Sequence, residues 1–170
     1  VVVFNYPTEF QYPNDLKTNY IKRAVGLPGD VIEITAGELK VNGEVADKPD
    51  EMQYSYDVLT SRQLNVDFFA DYDVDPDSFY PFSDGSGYQV FATDQVIERL
   101  KASPVVTSAT KRLMKTASDP GIFPDGATLG WNRDNYGPLE IPRGGCTIHL
   151  SNEHVTTYGV TIQKYEGLEN

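Results

Sequence analysis

The sequence has 170 residues, 39% of them hydrophobic, enough to bury one core and a small inserted lobe but not two large domains. Its 25 acidic and 14 basic side chains give a formal charge of -11, which opposes any phosphate-tracking surface and argues against a nucleic-acid partner. Cys146 is the only cysteine and His149 and His154 are the only histidines, so no internal disulfide is possible and a Cys/His zinc site is nearly excluded; no apolar run approaches the length of a membrane span.

Residues 1–6 read as a strand, an apolar β-branched run stopped by Pro7, and the polar stretch 8–18 reads as a loop. A second strand is expected over 19–25. Gly26-Leu27-Pro28-Gly29-Asp30 then concentrates turn chemistry, with glycines free to take positive φ and proline fixing its own, and it folds the chain sharply back. Residues 31–34 and 39–41 follow as short strands, and Asn42-Gly43 is the preferred pair for a type I′ hairpin turn. Up to Val45 the chain is an antiparallel meander. It opens inside a strand without a methionine, and residues 165–170 look like a helix end with a glycine stop at Gly167, so the sequence reads as an excised piece of a longer protein.

From Asp47 to Asp84 acids crowd in with aromatics between them, and Lys48 and Arg62 are the only basic residues, which marks a separate lobe. Leu64, Phe68, Phe69 and Tyr72 have helical spacing, 88–92 reads as a strand, Thr93 caps a helix with Val96, Ile97 and Leu100 on one face, Pro104 ends it, and 105–114 can pair again. Residues 119–145 are rich in glycine and proline and read as a long ordered loop with an extended piece at 139–142; 146–150 is expected as a strand. Ser151 or Asn152 caps a closing helix that carries Val155, Tyr158, Ile162 and Tyr165 inward, with Lys164 near its negative end. The fold class is mainly β with an α+β insert: a β-rich part over 1–46, an acidic α+β lobe over 47–118, and a loop, strand and closing helix over 119–170.

Asp71, Asp73, Asp75 and Asp77 have the alternating carboxylates of a calcium loop. Pro76 replaces the required glycine and Phe82 stands where the bidentate glutamate belongs, while the frame starting at Asp73 has Ser78 and Asp84 at those places. This is a solvated acidic loop, and no metal or cofactor is expected.

The segment Tyr20-Ile21-Lys22-Arg23-Ala24-Val25-Gly26-Leu27-Pro28-Gly29-Asp30 carries the chemistry. On a strand, Lys22 shares a face with Tyr20 and Ala24 while Ile21, Arg23 and Val25 point the other way. A lysine desolvated among apolar neighbours loses part of its preference for the ammonium form, and its neutral amine can take a proton from a hydroxyl. By pattern alone a Lys-Arg pair on a strand is more often a solvated edge. The stretch resembles, without a gap, the signature of the bacterial type I signal peptidases, in which a lysine-arginine pair precedes a Gly-Leu-Pro-Gly-Asp turn. Val1-Val2-Val3-Phe4-Asn5-Tyr6-Pro7 also resembles that family's preceding box.

The resemblance implies an antiparallel β core of the signal peptidase type and a serine endopeptidase that removes signal peptides from exported preproteins through a Ser/Lys dyad. Lys22 maps onto the general base, Arg23 onto the adjacent structural arginine, and Tyr20 lines the pocket. Asn19, Tyr20 and Ile21 map onto the strand whose backbone pairs with the extended signal peptide, a β-augmentation. The implied location is the cytoplasmic membrane, with the catalytic region on its outer, periplasmic side and the membrane reached through an N-terminal anchor missing from this sequence. The family's Ser-Met-x-Pro nucleophile box is missing too: every serine from Ser55 to Ser151 follows Lys22 and none lies in such a box. The serine is therefore expected outside these residues, and the chain by itself is expected to be catalytically silent. Gly130-Trp131-Asn132-Arg133-Asp134-Asn135 mimics the opening of the family's last box but runs into Tyr136-Gly137-Pro138-Leu139, a segment similar to one that precedes the true last box in signal peptidases with enlarged inserts; that box is expected beyond Asn170. A rival reading is a non-catalytic module that binds peptides or proteins through the acidic, aromatic-rich insert.

Overall fold

The computed structural model describes residues 1–6, 9, 11–13, 15–115 and 118–165, with the side chains of Lys164 and Tyr165 excepted. In chain order the elements are β1 (Val2–Asn5), β2 (Asn19–Lys22), β3 (Val31–Thr35), β4 (Glu38–Val41), β5 (Glu44–Val45), β6 (Tyr54–Thr60), α1 (Val66–Ala70), β7 (Phe79–Pro81), β8 (Gly87–Ala92), α2 (Asp94–Lys101), β9 (Val106–Lys111), α3 (Gly126–Leu129), β10 (Tyr136–Glu140) and α4 (Asn152–Tyr165). The fold is mainly antiparallel β with small helices, as the sequence pattern predicts. The stop at Pro7, the glycine stop at Gly167, the inward placement of the Tyr165 side chain and that of Lys164 at the helix's negative end lie outside what is described.

The chain divides into two compact units, one formed by Val1–Ala46 with Met114–Asn170 and the other by Asp47–Leu113. In the second unit the sheet order is β7-β8-β6-β9, antiparallel throughout. Alternation along β6 sends Tyr56 and Val58 to one face and Ser55, Asp57 and Leu59 to the other, and β8 repeats this with Tyr88, Val90 and Ala92 inward. Helix α2 lays Ile97 and Leu100 against that face, and its Thr93 cap accepts the Val96 N–H (3.3 Å). Among the described residues all the buried apolar side chains, including Val58, Phe69, Val90, Ile97 and Leu100, belong to this unit.

The alternating acids serve its loops. Asp71 closes α1, Asp73 takes the left-handed region (φ 61°) and meets Arg99 (2.9 Å), and Asp75 caps a 3-10 turn by accepting the Asp77 N–H (2.9 Å). The carboxylates of Asp73 and Asp75 are thus engaged in local geometry. Among the described residues no group of three or more histidine, cysteine, aspartate or glutamate side chains is arranged to hold a metal ion.

The first unit has two sheets. A ribbon pairs β1 with β2, Val2 opposite Lys22 and Phe4 opposite Tyr20, and a four-stranded sheet has the order β10-β3-β4-β5. Two type I′ turns connect β3–β4 and β4–β5: Ala36 and Gly37 (φ 52° and 78°) and Asn42 and Gly43 (φ 54° and 85°). The second has the expected Asn-Gly pair; the first has alanine in a conformation that an L side chain resists. Neighbours hold it there, since the Ala36 N–H donates to Asn135 Oδ1 (3.2 Å) and the Gly37 N–H to the Asp134 carbonyl (2.8 Å).

The same two residues fix the chain where it returns from the second unit: the Met114 N–H donates to Asp134 Oδ2 and Asn135 Nδ2 to the Met114 carbonyl, both at 2.8 Å. Where the chain leaves the first unit, the Ala46 N–H donates to the Leu39 carbonyl (2.9 Å). Buried Asn132 turns this segment by accepting the N–H groups of Asp134 and Asn135 (2.9 Å each), and Trp131 packs on Tyr136 with ring centres 4.5 Å apart. Several extents differ from the sequence reading. The strand expected over 19–25 ends at Lys22, β10 starts at Tyr136 rather than 139, and residues 146–150 are not a strand, because after Gly144-Gly145 that stretch finds no strand partner among the described residues.

Candidate active site

Lys22 closes β2, on the face of the ribbon shared by Val2, Phe4 and Tyr20. Its ammonium stands 5.5 Å from the centre of the Tyr20 ring, and that ring packs against Phe4 (6.1 Å) and Tyr6 (5.0 Å). Tyr20 thus shares the face of Lys22 as alternation predicts, Ala24 lies beyond the end of the strand, and Lys22 itself is exposed on this ribbon. Asn19 and Ile21 occupy the other face. Asn19 Oδ1 accepts from Asn5 Nδ2 (3.0 Å), and Ile21 is 67% exposed. Main-chain order continues past the ribbon, with the Tyr6 N–H on the Thr18 carbonyl (2.8 Å) and the Glu9 carboxylate accepting both the Thr18 N–H and its hydroxyl. Among the described residues β2 pairs only with β1, so its second edge has no strand partner.

The Gly-Leu-Pro-Gly-Asp turn that follows is held from three sides. Asp30 Oδ2 accepts the Leu27 N–H and Asp30 Oδ1 accepts from Asn42 Nδ2, each at 2.8 Å, while Asn42 Oδ1 accepts the Val31 N–H (2.9 Å). The Gly29 N–H donates to the Ile141 carbonyl (2.6 Å), and the Ile141 N–H donates to the Asp30 carbonyl (2.8 Å). The Asn42 bond, and after it the Leu27 N–H, holds the Asp30 carboxyl below the usual carboxylate range. Two glycines fit close approaches here. A Cβ on Gly26 would come within 2.5 Å of Ile141 Cδ1 and 2.9 Å of Ile32 Cγ2, and Gly29 (φ 96°) lies under the Arg143 guanidinium. The sequence shows this turn but not its Asn42 partner, whose side chain reaches back twelve residues.

The segment from Trp131 to Asn135, the mimic of a family support box, braces the Ala36-Gly37 turn and Met114. Its residues act on the sheet that carries the turn.

The signal peptidase, peptidase S26, family matches residues 1–87, half of the chain. The signal peptidase I of Pseudomonas fluorescens is 58% identical over 41 residues, 23% of this chain and 14% of that protein, and the signal peptidase I of Pseudomonas aeruginosa is 56% identical over a stretch of the same extent. These matched stretches span about one seventh of the relatives' length. No solved structure matches the chain. With the lysine-arginine pair and its clamped turn inside the matched region, the chain belongs to the signal peptidase family of serine proteases, peptidase S26.

Proposed function

We propose that this chain carries the general-base half of a signal peptidase active site, in which Lys22 takes the proton from a serine supplied by sequence outside these 170 residues. The observation that carries the reading is Lys22 itself: inside the family match, on an aromatic-lined face, at the end of a strand with an unpaired edge. In the complete enzyme the nucleophile strand covers that face and excludes water, the setting in which a lysine amine serves as base to a hydroxyl. The free edge at Asn19, Tyr20 and Ile21 suits an extended signal peptide, whose main chain adds to the ribbon while its alternate side chains enter pockets. The enzyme acts on preproteins at the outer face of the cytoplasmic membrane and reaches the bilayer through an N-terminal anchor; among the described residues no helix is long and apolar enough to cross a membrane.

The test is cleavage of a preprotein ending its signal in Ala-x-Ala by the protein that the whole gene encodes. Lys22→Arg abolishes cleavage, because arginine stays protonated at any working pH. Near-normal cleavage by that variant overturns the assignment. The 170-residue chain alone gives no turnover; turnover that Lys22→Ala removes places the nucleophile inside the chain and refutes that part of the reading.

A further inference from the structure

The ribbon that bears Lys22 cannot set its own direction. Two paired strands are marginal by themselves, and among the described residues β2 is bonded on one side only. After Lys22, residues 23–25 are exposed, and close packing resumes at Gly26, between Ile32 and Ile141. The path from the lysine to the four-stranded sheet is therefore fixed by what holds residues 26–31. Several hydrogen bonds converge there, and three of them pass through two side chains, Asp30 and Asn42. Both Asp30 oxygens are used, one on the chain entering the turn at Leu27 and one on Asn42, whose own oxygen holds the first N–H of β3.

We propose that the Asp30–Asn42 pair is a positioning device for Lys22: it locks the turn that joins the lysine strand to the four-stranded sheet and thereby sets where the amine points. The inference rests on the reading of Lys22 as general base. Neither side chain touches the reacting atoms, so their effect reaches chemistry only through the strand. A base displaced by a fraction of an ångström loses rate in the proton-transfer step while the substrate still binds along the same edge.

The test uses the full-length enzyme and separates kcat from KM. Asp30→Asn keeps an acceptor for the Leu27 N–H but sets two amide groups against each other at Asn42; kcat falls about tenfold or more while KM changes by less than about twofold. The double exchange Asp30→Asn with Asn42→Asp restores a donor facing an acceptor, keeps an oxygen for the Val31 N–H, and brings kcat back to within about threefold of the parent. Where Asp30→Asn does not accumulate folded, Asn42→Gly takes its place, since glycine accepts the turn's positive φ and removes only the side chain. A parent-like kcat per folded molecule in the single variants, with only thermal stability reduced, overturns the inference, as does a folded double exchange that fails to recover. Lys22→Arg run alongside distinguishes the two levels: if it cleaves normally the base assignment itself fails, and if it is dead while Asp30→Asn keeps its kcat, only the positioning role fails.

Discussion

Phe69→Ala tests whether the Asp47–Leu113 unit is held by its own aromatic centre. Phe69 is fully buried, stacked on Phe79 with ring centres 3.9 Å apart, and edge-on to Tyr88 at 5.0 Å and Phe68 at 5.5 Å. Removing a buried phenylalanine costs about 3–5 kcal/mol in transfer and cavity terms. The upper half of that range applies here, because two close ring pairs, each worth roughly 0.5–1.5 kcal/mol beyond area, disappear together. At roughly 0.05–0.15 kcal/mol per residue a unit of this length has a total stability of about 3–10 kcal/mol, so the substitution takes a third of it or more. At about 1.4 kcal/mol per power of ten, amide hydrogen exchange in peptides covering Tyr54–Thr60 and Gly87–Ala92 accelerates by roughly three to three and a half powers of ten. Peptides covering Val31–Thr35 and Glu38–Val41 keep their exchange rates, since their sheet belongs to the other unit. A loss of protection below tenfold in β6 and β8, or an equal loss in β3 and β4, refutes the reasoning.

Asp94 accepts hydrogen bonds from Lys48 and Tyr56 and lies 3.9 Å from Lys111, and the Lys48 bond first, then Tyr56, holds its carboxyl below the usual value of 3.8. A carboxyl depressed in the folded state adds stability that is complete above pH 3.8 and is lost as pH falls from there through the folded value, so Asp94→Asn flattens the acid limb of a stability-against-pH curve measured by urea unfolding. Gly137→Ala is more damaging than Gly26→Ala, because a Cβ at 137 would meet the Ile32 carbonyl at 2.6 Å at φ 85°, whereas at 26 it meets side-chain ends that can shift; thermal melts followed by Trp131 fluorescence rank the two. On the proposed assignment of Lys22 as base, Arg23→Ala leaves preprotein cleavage by the full-length protein within about threefold of the parent, since Arg23 is exposed next to it.

Local chemistry was legible wherever one residue dictates one backbone conformation. Asn42-Gly43 is a type I′ turn because both residues tolerate positive φ, and Thr93 starts α2 because its hydroxyl satisfies an orphan N–H. The shared face of Lys22 and Tyr20 follows from strand alternation alone. What stayed hidden was long-range. Ala36 occupies a turn position that its own propensity disfavours because Asn135, ninety-nine residues later, takes its N–H. The strand at Tyr136 begins early because β3 offers a bonded edge, and residues 146–150 remain irregular for want of one. The Asp30–Asn42 bond was hidden for the same reason: both residues read as turn formers, and nothing in their spacing announces that the two turns bind each other.

The anchors at Ala46 and Met114 work like the two rims of a socket. Each is bonded to the four-stranded sheet or its brace, and neither bond involves a residue of the stretch between them. Exchange of that stretch leaves these anchoring bonds in place, since donor and acceptor both lie outside it. A chimaera that joins a foreign lobe at these two positions keeps the bonds that hold the chain at Ala46 and Met114.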